Sequence, residues 1–279
     1  MNGTDLLSIK AFAELTGMNQ STLRYYDKIG LFSPVKRGEN GYRYYSPQQT
    51  VTVNLVNVLN DLQTSLKDIG EQEKSRTPES ILELLTKQET KFDNEMRRLH
   101  LAYSITHVFR NLIQEGIAAN EYEISDVKSD ALPLILGAIN DFSENRFFYE
   151  TFIRFCQEAK SNRVNLSYPV GGFFNSIDDF VSESSQPARF FSLDPAGLEE
   201  KAAGRYLVGY TRGYYGEMGD VGQRLLAYAE EHKLSFTGPL YVIYLHDEIS
   251  EKDTSRYLAQ VSVSVAPKRA KRGVTVSRG

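Results

Sequence analysis

Arginine and tyrosine side chains between residues 21 and 45 are spaced to grip a nucleic-acid backbone. Ser21, Thr22, Arg24, Tyr25 and Tyr26 share one short stretch, and Lys36, Arg37, Tyr42 and Arg43 a second. Guanidinium and ammonium groups neutralise phosphates, and hydroxyl groups hydrogen-bond to phosphate oxygens and fix register. Similar short clusters occur on ordinary surface helices and hairpins, so the elements that carry them matter. Leu23, Tyr26 and Ile29 recur every three residues, which predicts a helix opened by Ser21 and Thr22 and closed by Gly30. Pro34 blocks continuation, and Asn40-Gly41 supplies a tight turn between two strands. Helix and ribbon would form two prongs.

Composition restricts the alternatives. The 279 residues are 41% hydrophobic and carry a formal net charge of −4, so a globular chain of two or more domains is expected. Charge is uneven: Arg24, Lys28, Lys36, Arg37 and Arg43 face only Asp27 and Glu39 within residues 24–43. A basic patch thus survives an acidic average. Cys156 is the single cysteine, which excludes a disulfide framework and a cysteine-rich metal site. His100 and His107 have no carboxylate-rich set beside them, so neither metal nor cofactor is expected. No apolar run approaches the roughly 20 residues of a membrane span, and no signal sequence opens the chain, so a cytoplasmic protein is expected. Aromatic residues are in surplus, 17 Tyr and 15 Phe without Trp, and must serve cores or a pocket.

Ser8 is placed to cap a helix over 9–15 that Gly17 ends, and Phe12, Leu15, Leu23 and Ile29 would form a small core with the second helix. Two short helices about a glycine turn read as a helix-turn-helix. Ser46-Pro47 starts a third helix with Val51, Leu55, Val58 and Leu59 inward, and Ser65 caps a brief fourth holding Leu66 and Ile69. From Pro78 to about Gly116 one long helix carries a near-heptad seam of Ile81, Leu85, Phe92, Met96, Leu99 and Tyr103, which wants a second copy.

Beyond it the order strand, helix, strand, strand repeats. The first copy covers 132–139, 147–159, 168–174 and 188–193; the second covers 205–211, 218–231, 240–246 and 257–265. The fold class is α+β. The expected domains are a winged head over 1–75, a dimerisation helix over 76–116, an antiparallel-sheet domain over 117–267 and a basic disordered tail over 268–279.

Leu23-Arg24-Tyr25-Tyr26-Asp27-Lys28-Ile29-Gly30-Leu31, then Asn40-Gly41-Tyr42-Arg43-Tyr44-Tyr45-Ser46 and Ser65-Leu66-Lys67-Asp68-Ile69, resemble the signature of MerR-type transcription regulators. The likeness spans about the first 115 residues. It implies a winged helix-turn-helix homodimer joined by an antiparallel coiled coil. Such a dimer sits on double-stranded promoter DNA with an over-long spacer and distorts it, so that RNA polymerase can engage both promoter elements. Arg24 and Tyr25 would then approach bases and phosphates, Tyr26 and Tyr42 the backbone, and Arg43 a phosphate.

Residues 120–266 more weakly resemble the gyrase-inhibitor-like effector domain of multidrug-responsive members. That resemblance implies an aromatic groove between the repeats for lipophilic aromatic or cationic compounds. Its candidate lining is Phe147, Phe148, Tyr149, Tyr168, Phe173, Tyr206, Tyr214, Tyr215, Met218, Tyr244 and Tyr257. Rings of this kind attract planar cations by about 0.5 to 2 kcal/mol each. Relatives that prefer cations carry a glutamate where Val242 stands here, so Glu217 would supply the charge, or the groove also admits neutral compounds. Two rivals stay open: a hydrolase-like drug-modifying domain that uses Glu217, and a constitutive architectural DNA binder.

Overall fold

The computed structural model describes residues 6–75, 77–142, 148–161 and 166–268. They form two compact units that divide at Leu99 and His100. In the first, β1 (Leu7–Ser8) leads straight into α1 (Ile9–Thr16). Ser8 makes that start, because the Ala11 amide donates to its Oγ at 3.3 Å. Ser8→Ala should therefore cost about 1 kcal/mol, and equilibrium unfolding in urea would measure it. After α2 (Gln20–Lys28), Gly30 adopts φ 72°, the left-handed turn that lets Leu31 and Phe32 swing back under the helix.

β2 (Lys36–Arg37) and β3 (Arg43–Tyr45) make the ribbon, and β1 adds to the far edge of β3. Between them Gly41 sits at φ 77° and the Gly38 amide donates to the Tyr42 carbonyl, as the Asn-Gly turn requires. α3 (Gln49–Asp61), α4 (Leu66–Ser75) and the start of α5 (Pro78–Ala118) complete the unit.

Its centre is a stack of three rings: Phe12 lies 4.6 Å from Tyr45 and 6.0 Å from Phe32 between centroids. Leu23, Tyr26, Leu31, Val53, Val56, Leu59, Ile69 and Leu84 surround it. Two expectations need correction. Leu15 and Ile29 are exposed, because α1 turns Phe12 and Ala13 inward and Ile29 lies past the last turn of α2. In α3 the buried stripe is Val53, Val56 and Leu59, which places Val51 and Val58 on roughly the opposite side at 100° per residue.

α5 runs 41 residues without interruption. Its Leu84 joins the core of the first unit, and Gln88 Nε2 donates to Thr64 Oγ1 at 3.2 Å. Of the expected seam, Met96, Leu99 and Tyr103 stand 60%, 68% and 71% exposed in the single chain. No helix among the described residues is long and apolar enough to cross a membrane.

The second unit is an antiparallel sheet built from β4 (Ile124–Ser129), β5 (Leu132–Ile139), β6 (Val170–Phe174), β7 (Arg189–Ser192), β8 (Glu199–Lys201), β9 (Gly204–Arg212), β10 (Leu234–His246) and β11 (Leu258–Pro267). Among the described residues its order is β4-β9-β11-β10-β6-β7-β5-β8. With α6 (Phe148–Ser161), α7 (Ile177–Ser182) and α8 (Val221–Glu231), the repeat β5-α6-β6-β7 faces the repeat β9-α8-β10-β11. The copies join where β6 pairs β10, Gly172 opposite Val242.

Sequence patterning missed β4, β8 and α7. β8 is Glu-Glu-Lys, without an apolar residue to mark it. β10 is covered on both sides: Leu240, Val242 and Tyr244 join one cluster with α8, while Tyr241, Ile243 and Leu245 join another with Val108 and Leu112 of α5. Lys268 still pairs with this sheet, its amide donating to the Lys233 carbonyl. The rest of the expected tail, 269–279, lies outside the described residues.

Candidate nucleic-acid interface and ligand cavity

In the first unit, Ser21, Arg24 and Tyr25 stand exposed on α2, and Lys36 and Tyr42 stand exposed on the ribbon; Thr22 is partly covered. Tyr26 does not join them. It is 7% exposed and packed in the core, because it shares the inward stripe of Leu23.

Asp27, which is not among the expected site residues, holds the two prongs together. Its side chain is 1% exposed, and its carboxylate accepts from Arg37 Nη2 at 2.7 Å and from Arg43 Nε at 2.7 Å. Arg37 and Arg43, expected at phosphates, thus spend much of their donor capacity on Asp27. Arg37 stays half exposed, so it can still offer its remaining N–H groups outward.

The second unit holds a cavity of about 610 Å³ between α6 and the sheet. Of the expected lining, Phe148, Tyr149, Tyr168, Tyr214, Tyr215, Met218, Val242, Tyr244 and Tyr257 are there. Phe147 lies outside the described residues. Phe173 and Tyr206 do not line it. Phe173 points to the other face of the sheet, edge-on to Tyr241, and Tyr206 borders a separate cavity. Phe109, Phe152, Phe174 and Phe190 line it instead. Rings interlock closely, with Tyr215 4.6 Å from Tyr244 and 5.7 Å from Tyr257.

Hydrogen bonds fix the loop that presents these rings. Tyr244 Oη donates to the Tyr214 carbonyl at 2.9 Å and accepts from the Gly216 amide at 3.2 Å. Burial pushes the Tyr244 and Tyr215 phenols up. The hydrogen bond to Tyr214, with some burial, takes Tyr149 up to about 12. Rings that stay neutral at physiological pH leave negative charge to carboxylates. Glu217 is not among the lining groups, since it turns back to accept from the Tyr214 amide at 3.1 Å. Asp247 and Glu248 line the cavity instead. Tyr215 Oη donates to Glu248 Oε2, and burial pushes the Asp247 carboxyl up. No short-range motif marked this pair, because it follows the strand that Tyr244 belongs to and reaches Tyr215 across 33 residues.

Residues 8–45 match the family described as MerR family regulatory protein. Over 243 residues the chain is 26% identical to the multidrug-efflux transporter 2 regulator of Bacillus subtilis (strain 168), covering 85% of this chain and 88% of that one. Residues 8–45 thus carry a MerR-type head. The HTH-type transcriptional regulator SkgA of Caulobacter vibrioides is 40% identical over 62 residues, 22% of this chain and 24% of that protein. A solved EcmrR–DNA complex aligns with 94% of this chain and 100% of that one at TM-score 0.39 and 14% identity. The matched segment spans the helix-turn-helix and ribbon, where Arg24, Tyr25 and Tyr42 stand exposed.

Proposed function

We propose that this chain is a ligand-responsive transcription activator of the cytoplasm. It acts as a homodimer on a promoter with an over-long spacer, distorts the DNA and so lets RNA polymerase engage it. The observation that carries the ligand response is the acid-rimmed aromatic cavity of about 610 Å³ in a chain whose head is a MerR head. Its neutral rings suit lipophilic aromatic compounds, and Asp247 and Glu248 favour cations among them. This gyrase-inhibitor-like reading gains support from the paired repeats, and from the multidrug regulation named for the Bacillus subtilis relative. Exposed Met96, Leu99 and Tyr103 on α5 support an antiparallel coiled-coil partner. The hydrolase reading rested on Glu217, which accepts from the Tyr214 amide and is not among the groups lining the cavity.

Transcription from an over-long-spacer promoter, with and without a panel of aromatic cations, tests the whole reading. Stimulation by some of them is expected; equal output with and without every member would sink the ligand response. DNA affinity should fall steeply with salt, with a log–log slope of about −0.9 per phosphate neutralised. A titration across salt concentrations that shows a flat affinity would sink the DNA reading.

A further inference from the structure

The sheet carries a second cavity, on the face opposite the first. Neighbouring strand residues alternate, so Val242 and Tyr244 border the first while Tyr241 and Ile243 border the second. Its volume is about 260 Å³, and Leu112 and Glu115 of α5 contribute to its wall. Lys201, the last residue of β8, lines it at 9% exposure. The Lys201 ammonium donates to Ser262 Oγ at 2.8 Å and lies 4.4 Å from the Tyr206 ring centre and 5.5 Å from that of Tyr241.

None of the ion pairs among the described residues includes Lys201. Glu115, the acid on the same wall, accepts from Tyr210 Oη at 3.2 Å and from Gln260 Nε2. Burial takes the Lys201 ammonium down to about 8, against the pull of Glu115.

Holding an ammonium out of water without a carboxylate is costly, and a hydrocarbon side chain of similar volume often serves stability as well or better. Three N–H donors sit on that nitrogen, and one goes to a protein oxygen. A positive charge and the two donors not used on Ser262 thus stand at a cavity of mixed lining, rings and aliphatic side chains beside Glu115, Lys128, Ser129, Gln260 and Ser262. We propose that this cavity binds a small apolar molecule bearing a carboxylate, with Lys201 as its counter-charge. The size fits one ring and its carboxylate, below the roughly 300 Å³ at which drug-sized sites begin. The carboxylate would take charge-assisted hydrogen bonds from Lys201, while Leu134, Phe191 and Ile243 cover the ring.

Calorimetric titration of the full chain with benzoate and with benzamide tests this. Benzoate should bind roughly tenfold or more tightly than benzamide, the ratio a charge-assisted hydrogen bond provides. Lys201→Met should remove that preference while leaving binding of tetraphenylphosphonium, a probe of the first cavity, unchanged. Benzamide matching benzoate in the unaltered protein, or Lys201→Met keeping the preference, would overturn the proposal. A methyl NMR spectrum of the unaltered chain stands free of any folding defect in the variant. Benzoate should shift Leu112, Leu134 and Ile243, and shifts confined to Val242 and Ile249 would place it in the first cavity and overturn the assignment.

Discussion

Asp27→Ala is expected to destabilise the first unit by about 3 kcal/mol, within the roughly 3 to 5 kcal/mol for removing one partner of a buried ion pair. Asp27 is held below the surface with its carboxylate shared by Arg37 and Arg43. Removal leaves two guanidinium groups beside an emptied, water-poor site. The cost falls toward the lower end because Arg37 is half exposed and can turn to solvent. On the proposed function, DNA binding should suffer as well, since the ribbon loses its anchor to α2 and the two prongs are no longer held in fixed relation. Thermal unfolding of the full chain would measure the first effect and DNA titration the second. Arg24→Ala supplies the contrast: its side chain is exposed and donates to Gln20 one helical turn back, so DNA affinity should drop with little loss of stability. An Asp27→Ala protein that melts within a degree of the unaltered one would show that the ribbon is held by other means.

Glu248→Gln is expected to weaken binding of a lipophilic aromatic cation roughly tenfold, about 1.4 kcal/mol, the scale of a unit charge a few ångströms from a ligand at a solvated rim. Glutamine keeps the size of the side chain and an oxygen to accept from Tyr215 Oη, so the ring cage should stay assembled. A neutral compound of the same shape should bind both proteins alike. Glu217→Gln should weaken the cation less than Glu248→Gln does, because Glu217 accepts from the Tyr214 amide and is not among the groups lining the cavity. Parallel titrations of the two variants with the two compounds separate the outcomes. Equal loss for cation and neutral compound in Glu248→Gln would mean that the residue shapes the cavity rather than charging it.

Much of the head was readable along the chain. Ser8, Gly30 and Asn40-Gly41 act through bonds and torsions within three or four residues of themselves, so their effects do not depend on what lies elsewhere. The repeat was readable for a similar reason: β11 alternates strictly, with Ala259, Val261, Val263 and Val265 on one face as the pleat requires. Leu258 and Ser262 on the other face are buried too, so the strand is not half-buried. Patterns failed where burial came from distant partners. Val51 and Val58 fit a helical spacing as well as Val53 and Val56 do, and contact with the ring stack decides between them.

The amino-acid sequence by itself determined the helix-turn-helix with its ribbon, the long helix and the paired strand-helix-strand-strand repeats, because caps, turns and side-chain periods are local. Which polar and aromatic groups meet was left to the tertiary structure. Only the packed sheet turned Tyr244 toward Tyr215 and Phe173 away from them, since adjacent strand positions point to opposite faces and register alone chooses the face. Only the packed head converted Arg37 and Arg43 from free cations into partners of Asp27, because charges 10 and 16 residues apart are joined by the way the ribbon folds onto α2.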